Sequence, residues 1–296
     1  MRYAELRVKF EPSQKPPFFI GSQVRGAFGY ALKSISCINH AHKCDECFAN
    51  ESCLYYDFYE KKNSYHRYRL DFELGAKVYD FGIVLLESAC EKLPYIASAA
   101  YMMLKRYGLG KDRVRYEKFD MFINGEACMA EDKISLPKEY VREFSFDGDG
   151  GDVRVKFITP LRIKKDNVFL KNDNISLKEI LNSIYQRRLG LFGQAHEALA
   201  CEIKGEITKK DLKYVELTRR SNRQNTTMNF GGLVGSLEMR GISKKCMDLL
   251  KLGEIIGVGK QTVFGLGKIE TEDMNEANLA VILMMSLSLW SKDLRV

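Results

Sequence analysis

The chain is divided near its middle by one stretch of turn-forming residues, Phe146-Asp147-Gly148-Asp149-Gly150-Gly151-Asp152. Glycine and aspartate concentrated in this way mark a turn or linker and not the interior of a helix or strand. The 296 residues of the chain are enough for two domains, at roughly 100 to 200 residues per domain. We therefore predict one domain over residues 1–146 and a second over residues 153–296.

The first half predicts the element order β-α-β-β-α-β. Polar and apolar residues alternate from Arg2 to Phe10, as in a half-buried strand, and the apolar residues from Ser22 to Ile35 share one face of a helix. The remaining elements are two strands, a helix and a last strand, at Tyr68–Leu74, Tyr79–Leu86, Tyr95–Tyr107 and Val114–Phe122.

The second half repeats this order. A strand at Val153–Ile158 is followed by a helix that begins with a capping box, because Ser176 precedes Glu179 by three residues. The remaining predicted elements are three strands, a helix and a last strand, at Cys201–Ile207, Lys213–Thr218, Leu233–Met239, Ser243–Leu252 and Val263–Ile269.

The repeated order predicts an α+β protein of two tandem ferredoxin-like (RRM-like) domains. In this fold two helices cover one face of an antiparallel sheet, and we expect the other face to be free for binding. A Cys-rich insert, at about residues 37–60, interrupts the first domain after its first helix.

Composition describes a globular protein, since 45% of the residues are hydrophobic and 29% are charged. The net charge of +7 suits an anionic partner without identifying it. A strand that begins almost at Met1 leaves no room for a signal peptide, and the apolar run Leu279–Trp290 is shorter than the roughly 20 residues that span a bilayer. We expect a cytoplasmic protein with no membrane partner, in which the eight cysteines are reduced.

A glycine-rich basic loop lies between the last predicted helix and the last predicted strand. Glycine permits positive φ and close backbone approach, so such a loop can present N–H donors to phosphate. A Walker A loop is excluded because Gln261 follows the Gly-Lys pair, and a dinucleotide fingerprint fails at Thr262. The alternative is a helix C-cap followed by a glycine-bearing strand. The RNA-binding candidates in this loop are Gly257, Gly259, Lys260, Gly265, Gly267 and Lys268.

A second basic segment runs from Thr218 to Thr227 and mixes arginines with amides and hydroxyls. These groups suit phosphates and base edges, and the alternative is a solvated hairpin loop. The RNA-binding candidates here are Arg219, Arg220, Arg223 and Gln224.

Four cysteines of the insert, Cys37, Cys44, Cys47 and Cys53, are close enough in sequence to bind one metal. Four thiolates form a closed tetrahedral zinc site, and the same set can hold an iron–sulfur cluster. The alternative is four reduced, uncoordinated cysteines in a loop.

Together, these segments resemble the CRISPR-associated repeat-processing endoribonucleases of the RAMP superfamily. The glycine-rich loop is similar to the signature of that superfamily. Further similar segments are Arg25–Gly29 with the cysteines that follow, Thr159–Arg162, Arg187–Leu189, and Arg223-Gln224 through Gly231–Gly235. The resemblance implies tandem ferredoxin-like domains, CRISPR repeat RNA as the ligand, and metal-independent cleavage by 2′-hydroxyl attack that leaves a 2′,3′-cyclic phosphate.

Such cleavage needs a base, an acid and a cation, and histidine is the usual base. In the resembled enzymes the base typically lies just after the first helix, which points to His42 or His40 among the four histidines. Tyr30 and Lys43 are then candidates for the acid and the cation, and His196 is the reserve base. The alternatives are that the two insert histidines are structural or that one of them binds metal.

Two other functions stay open on sequence alone. A non-catalytic RNA-binding subunit of a CRISPR effector complex would show the same RNA-binding segments. A metal-dependent redox protein would explain the cysteines but neither the glycine-rich loop nor the arginines.

Overall fold

The computed structural model describes residues 1–39, 41, 43–165, 167–199, 201–221 and 226–274. The apolar run Leu279–Trp290 and the candidate bases His40 and His42 therefore lie outside the described residues.

The N-terminal domain is built on one antiparallel sheet with the strand order β2-β3-β1-β4-β5. Its main elements are β1 (Arg2–Phe10), α1 (Gly21–Ser36), β2 (Tyr68–Phe72), β3 (Tyr79–Leu86), α2 (Leu93–Met102) and β4 (Asp120–Ile123). Short strands follow as β5 (Glu126–Ala127), β6 (Met129–Ala130), β7 (Lys133–Ile134) and β8 (Arg142–Glu143). The spatial order 2-3-1-4 of the four main strands is that of a ferredoxin-like domain.

The C-terminal domain repeats this topology with the strand order β12-β15-β9-β16. Its elements are β9 (Gly151–Leu161), β10 (Lys164–Lys165), β11 (Val168–Phe169), α3 (Leu177–Leu191), β12 (Glu206–Val215), β13 (Thr218–Ser221), β14 (Thr226–Asn229), β15 (Gly232–Ile242), α4 (Lys244–Ile256) and β16 (Ile269–Asp273). The prediction of an α+β fold with two tandem ferredoxin-like domains is confirmed.

Local sequence signals account for these elements. In β1 the apolar residues Ala4, Leu6 and Val8 are fully buried, while the residues between them remain partly exposed. The predicted capping box begins α3, because the Glu179 N–H donates to Ser176 Oγ and the Ser176 N–H donates to the Glu179 carboxylate. No helix within the described ranges is long and apolar enough to cross a membrane.

The bounds of three predicted strands of the second half are wrong. Residues 206–215 form the single strand β12, where we predicted a break between Ile207 and Lys213. This strand lies at the sheet edge and pairs only with β15 in the described sheet, so most of its residues are exposed and polar, which hides the apolar pattern. The predicted strand Val263–Ile269 begins only at Ile269, because residues 262–264 form a 3₁₀ turn between Gln261 and Gly265, both with positive φ.

The expectation that the second face of each sheet is free is wrong for the N-terminal sheet. In β2, Arg69 is 4% exposed and Asp71 is 6% exposed, so this strand is buried on both faces. Val84 and Leu86 of β3 belong to the apolar core of the C-terminal domain. The second face of the N-terminal sheet is therefore covered by the other domain.

Two buried arginines bind the C-terminal end of α4, and one of them, Arg69 of β2, joins the two domains. Arg69 donates to the carbonyl oxygens of Ile255 and Glu254 at 2.6 and 2.7 Å, and Arg187 of α3 donates to that of Ile256 at 2.6 Å. The last carbonyls of a helix lack partners within the helix and carry partial negative charge, so cations stabilise this end. Burial and, to a smaller extent, the neighbouring Arg69 cation lower the pKa of Arg187 to about 9.

Asp71 links the same strand to the glycine-rich loop. Its carboxylate lies 2.8 Å from the Arg69 guanidinium and 3.0 Å from Lys268 Nζ, and all three side chains are largely buried. Burial alone raises the pKa of Asp71, but Arg69 and Lys268 outweigh it and hold the pKa well below its usual range. The carboxylate is therefore charged, and it bridges the two domains.

Candidate functional site

The glycine-rich loop is tightly packed against the C-terminal domain. Backbone crowding explains its glycines, since a Cβ at Gly267 would meet the Val258 carbonyl and one at Gly259 would meet the Arg162 carbonyl. The four glycines all have φ between +73° and +82°, a region that L side chains rarely adopt: Gly257, Gly259, Gly265 and Gly267.

Most amides of the loop donate within the protein. The Lys260 N–H donates to the Arg162 carbonyl at 2.9 Å, and the Gly259 N–H donates to Ser183 Oγ at 2.9 Å. The other amides with an internal acceptor are those of Gly257, Val258, Phe264, Gly265, Leu266, Gly267 and Lys268. Our expectation that these N–H groups are offered to phosphate is therefore wrong for this set. The glycines shape the loop, and any RNA contact by these residues stays a prediction.

The two lysines of the loop differ in exposure. Lys268 is 12% exposed on its side chain and is paired with Asp71. Lys260 is exposed, and its Nζ lies 5.9 Å from the ring centre of Tyr65 in the other domain. Lys260 is therefore the better placed of the two for an external anion.

The arginine-rich segment forms a β-hairpin inserted between β12 and β15. Strands β13 and β14 pair antiparallel, with Arg219 opposite Met228 and Arg220 opposite Thr227. Arg223 and Gln224 lie outside the described residues. The hairpin is anchored at its base, where the Phe230 N–H donates to the Leu217 carbonyl at 2.6 Å.

Arg25 of α1 stacks between aromatic rings from both domains, which the sequence did not predict. Its guanidinium carbon lies 4.1 Å from the ring centre of Tyr59 and 4.8 Å from that of Phe264 in the glycine-rich loop. The guanidinium also donates to the Tyr68 hydroxyl. Burial raises the pKa of Tyr59 to about 12, so its hydroxyl is neutral and donates to the Arg25 carbonyl at 2.8 Å. The only sequence signal was Arg25 within the segment Arg25–Gly29.

The other two histidines lie at the domain junction. His66 is half-buried next to β2, and its Nδ1 is 2.9 Å from the Asp57 carbonyl oxygen. The His196 ring lies 6.2 Å from that of Tyr65. A cavity of about 590 Å³ lies beside it, lined among others by Arg188, Phe192 and Glu197.

The predicted acid lies in the second half of α1, and the predicted cation lies in the insert. Tyr30 is 57% exposed, and its ring meets that of Tyr107 edge-on at 4.8 Å. Lys43 is exposed, and its carbonyl accepts a hydrogen bond from Asn39 at 3.1 Å. The catalytic roles proposed for both residues stay predictions, as do those of His42 and His40.

Three of the four insert cysteines, Cys37, Cys47 and Cys53, line one cavity of about 220 Å³. Burial raises the pKa of the Cys44 thiol, and Lys33 opposes this rise. Within the described residues, no group of three or more His, Cys, Asp or Glu side chains is arranged to hold a metal ion.

Each half of the chain matches a protein-family model. Residues 155–269 match the model of the CRISPR-associated endoribonuclease Cas6, a range that contains the arginine-rich hairpin and the glycine-rich loop. Residues 1–121 match the model AF_1859_N, described as an N-terminal domain. An uncharacterized protein of Archaeoglobus fulgidus is 24% identical over 299 aligned residues, which cover 89% of this chain and 94% of that protein.

Solved structures share the fold over both domains. Thermus thermophilus Cas6 superposes with a TM-score of 0.55 at 14% identity, covering 92% of this chain and 98% of that one. A Cas6 product complex superposes with a TM-score of 0.53 at 18% identity, covering 92% of this chain and 100% of the other. At these identities the likeness establishes a common fold. The predicted resemblance to CRISPR-associated endoribonucleases is confirmed, through the match of residues 155–269 to the Cas6 model and a fold shared with Cas6 structures across both domains.

Proposed function

We propose that this protein binds CRISPR repeat RNA and cuts it endonucleolytically without a metal ion. The observation that carries the proposal is the match of residues 155–269 to the Cas6 endoribonuclease model. The 2′-hydroxyl upstream of the scissile phosphate attacks phosphorus, which leaves a 2′,3′-cyclic phosphate and a 5′-hydroxyl. In this proposal the sequence assigns the base to His42 or His40, the acid to Tyr30 and the cation to Lys43.

Several features of the domain junction suit RNA. Lys260 is exposed beside Tyr65, and Arg25 stacks on rings from both domains. Arginine and aromatic faces are groups on which unpaired bases stack, and lysines contact phosphates without reading sequence. The inserted hairpin adds Arg219 and Arg220 on β13, and the sequence adds Arg223 and Gln224 as further candidates. The surface would then bind single-stranded parts of the repeat and orient the cut.

The direct test is incubation of the purified protein with labelled repeat RNA from the host's own array in the presence of EDTA. We expect one discrete cut and a 5′ fragment that ends in a cyclic phosphate. Tight binding without any cut would instead identify a non-catalytic RNA-binding subunit of a CRISPR effector complex. Loss of the cut in EDTA would contradict the metal-independent mechanism.

We predict that Arg219→Ala, Arg220→Ala and Arg223→Ala together weaken RNA binding and flatten its dependence on salt. Each lost phosphate contact on single strands removes about 0.7 from the slope of log K against log salt. The measurement is a binding titration at several salt concentrations. A charge-matched control replaces three exposed lysines of the first domain, Lys92, Lys118 and Lys138. Equal losses in both triple variants would show that only net charge matters and that the hairpin is not a specific contact.

We also predict about one metal equivalent of zinc, or an iron–sulfur cluster, bound by Cys37, Cys44, Cys47 and Cys53. Metal binding would draw the four thiols together and order the insert, because binding and folding are coupled in such sites. Elemental analysis of protein prepared without chelator is the measurement, and absorbance near 400 nm distinguishes iron–sulfur from zinc. Only trace zinc and iron would leave the cysteines reduced and uncoordinated. The cleavage reaction itself needs neither metal.

A further inference from the structure

The hydrogen bonding of His66 fixes its tautomer. Its Nδ1 lies 2.9 Å from the Asp57 carbonyl oxygen, which can only accept a hydrogen bond. Nδ1 therefore carries the proton, and in the neutral ring Nε2 has a free lone pair. Within the described ranges, no group hydrogen-bonds to Nε2. A half-buried imidazole held in this way is prepared to accept a proton.

The charges around His66 favour its neutral form. Burial lowers the pKa of His66, and the neighbouring cations Arg25 of α1 and Arg187 of α3 lower it further. The Asp57 carbonyl and carboxylate oppose this shift without reversing it. At neutral pH the ring is therefore uncharged, as a general base must be before it acts.

The groups that a cleavage site needs lie beside this ring. The His66 ring centre is 6.3 Å from that of Tyr68, whose hydroxyl accepts a hydrogen bond from the Arg25 guanidinium. Phe264 of the glycine-rich loop lies on the same guanidinium, at 4.8 Å. At the contact between the domains, these residues thus bring together a neutral base, a cation and aromatic rings. Phe264 belongs to the loop that lies within the Cas6 match.

We propose that His66 is the catalytic base of the cleavage reaction, with Arg25 facing the scissile phosphate. This inference rests on the proposed function, and it reassigns the base from His42 or His40, the cation from Lys43 and the acid from Tyr30. Nε2 takes the proton of the 2′-hydroxyl while the 2′-oxygen bonds to phosphorus and the bond from phosphorus to the 5′-oxygen breaks. The leaving 5′-oxygen takes a proton from solvent, the imidazolium returns its proton to solvent, and nothing is oxidised or reduced.

The discriminating variant is His66→Asn, compared with His66→Ala. The asparagine amide can still donate to the Asp57 carbonyl, so it preserves the structural hydrogen bond, but it cannot act as a base. We expect both variants to bind repeat RNA within a few fold of the wild type and to lose about 10²- to 10⁴-fold in single-turnover cleavage rate. Cleavage by His66→Asn at the wild-type rate would show that the histidine only supports the fold, and it would overturn the proposal.

The pH dependence of the rate separates His66 from the other histidines. A base that must be neutral makes the rate rise with pH through its pKa and then level off. We expect this rise in the wild type and its loss in His66→Asn. A rise that persists in His66→Asn but disappears in His42→Ala or His40→Ala overturns this inference and leaves the endoribonuclease intact. Absence of cleavage by the wild type would overturn both proposals.

Discussion

A repeat RNA with a single 2′-deoxy nucleotide immediately upstream of the cut is expected to resist cleavage completely. The proposed nucleophile is the 2′-hydroxyl of that nucleotide, and no other group of the RNA can form the 2′,3′-cyclic phosphate. Affinity should change little, because one hydroxyl is a small part of a surface that holds the RNA mainly through phosphates and stacking. The measurement is single-turnover cleavage together with a binding titration on the same RNA.

The matched control carries the 2′-deoxy substitution one nucleotide further upstream. This RNA is expected to be cut at the same position as the unmodified repeat. If the RNA with the substitution at the cut is still cleaved there, the nucleophile is water or another group, and both the cyclic product and a base for the 2′-hydroxyl are excluded. The experiment tests the reaction without depending on which histidine acts.

Replacing Asp71 with alanine is expected to destabilise the folded protein by about 3–5 kcal/mol, the cost of removing one partner from a buried ion pair. The variant leaves Arg69 and Lys268 buried without their shared carboxylate. A shift of the urea or thermal unfolding midpoint is the measurement. Glu270→Ala is the control, because Glu270 contacts the same Lys268 at 3.6 Å but is 48% exposed on its side chain. Similar shifts of the midpoint in the two variants would contradict the expectation that the burial of the Asp71 ion pairs causes the loss of stability.

The same carboxylate predicts how stability depends on pH. The pKa of Asp71 is lower in the folded protein than in the unfolded chain, so its contribution is fully present above the unfolded value of about 4. This contribution is lost as pH falls below that value toward the folded pKa. The wild type should therefore lose stability over this acid range more steeply than Asp71→Ala.

The fold could be predicted because its signals are local. Alternation in β1, the shared apolar face of α1 and the capping box at Ser176 each depend on neighbouring residues only. The bounds of the edge strand β12 were predicted wrongly because they depend on its backbone pairing with β15, which its own residues do not show. The sequence also could not show that the loop amides are already bonded, since their acceptors include Pro160, Arg162 and Ser183, far away along the chain.

The candidate site was predictable in composition but not in arrangement. The glycines and lysines of the loop were visible as a motif, whereas the burial of Lys268 depends on Asp71, which lies 197 residues earlier. Arg25 and His66 carried no pattern of their own. Their association results from the domain interface, and no periodicity in the sequence encodes that interface.

The contact of Arg69 with the end of α4 also bears on which partner would change shape in the proposed complex with RNA. Any hinge motion that separated the domains would break the hydrogen bonds from Arg69 to the carbonyl oxygens of Glu254 and Ile255. These buried groups would then be left without partners, which costs free energy. We therefore expect the two domains to keep their relative orientation in the complex. The conformational entropy lost in the complex comes mainly from the RNA, so a repeat that is already folded into the bound shape gains affinity over one that must be ordered on contact.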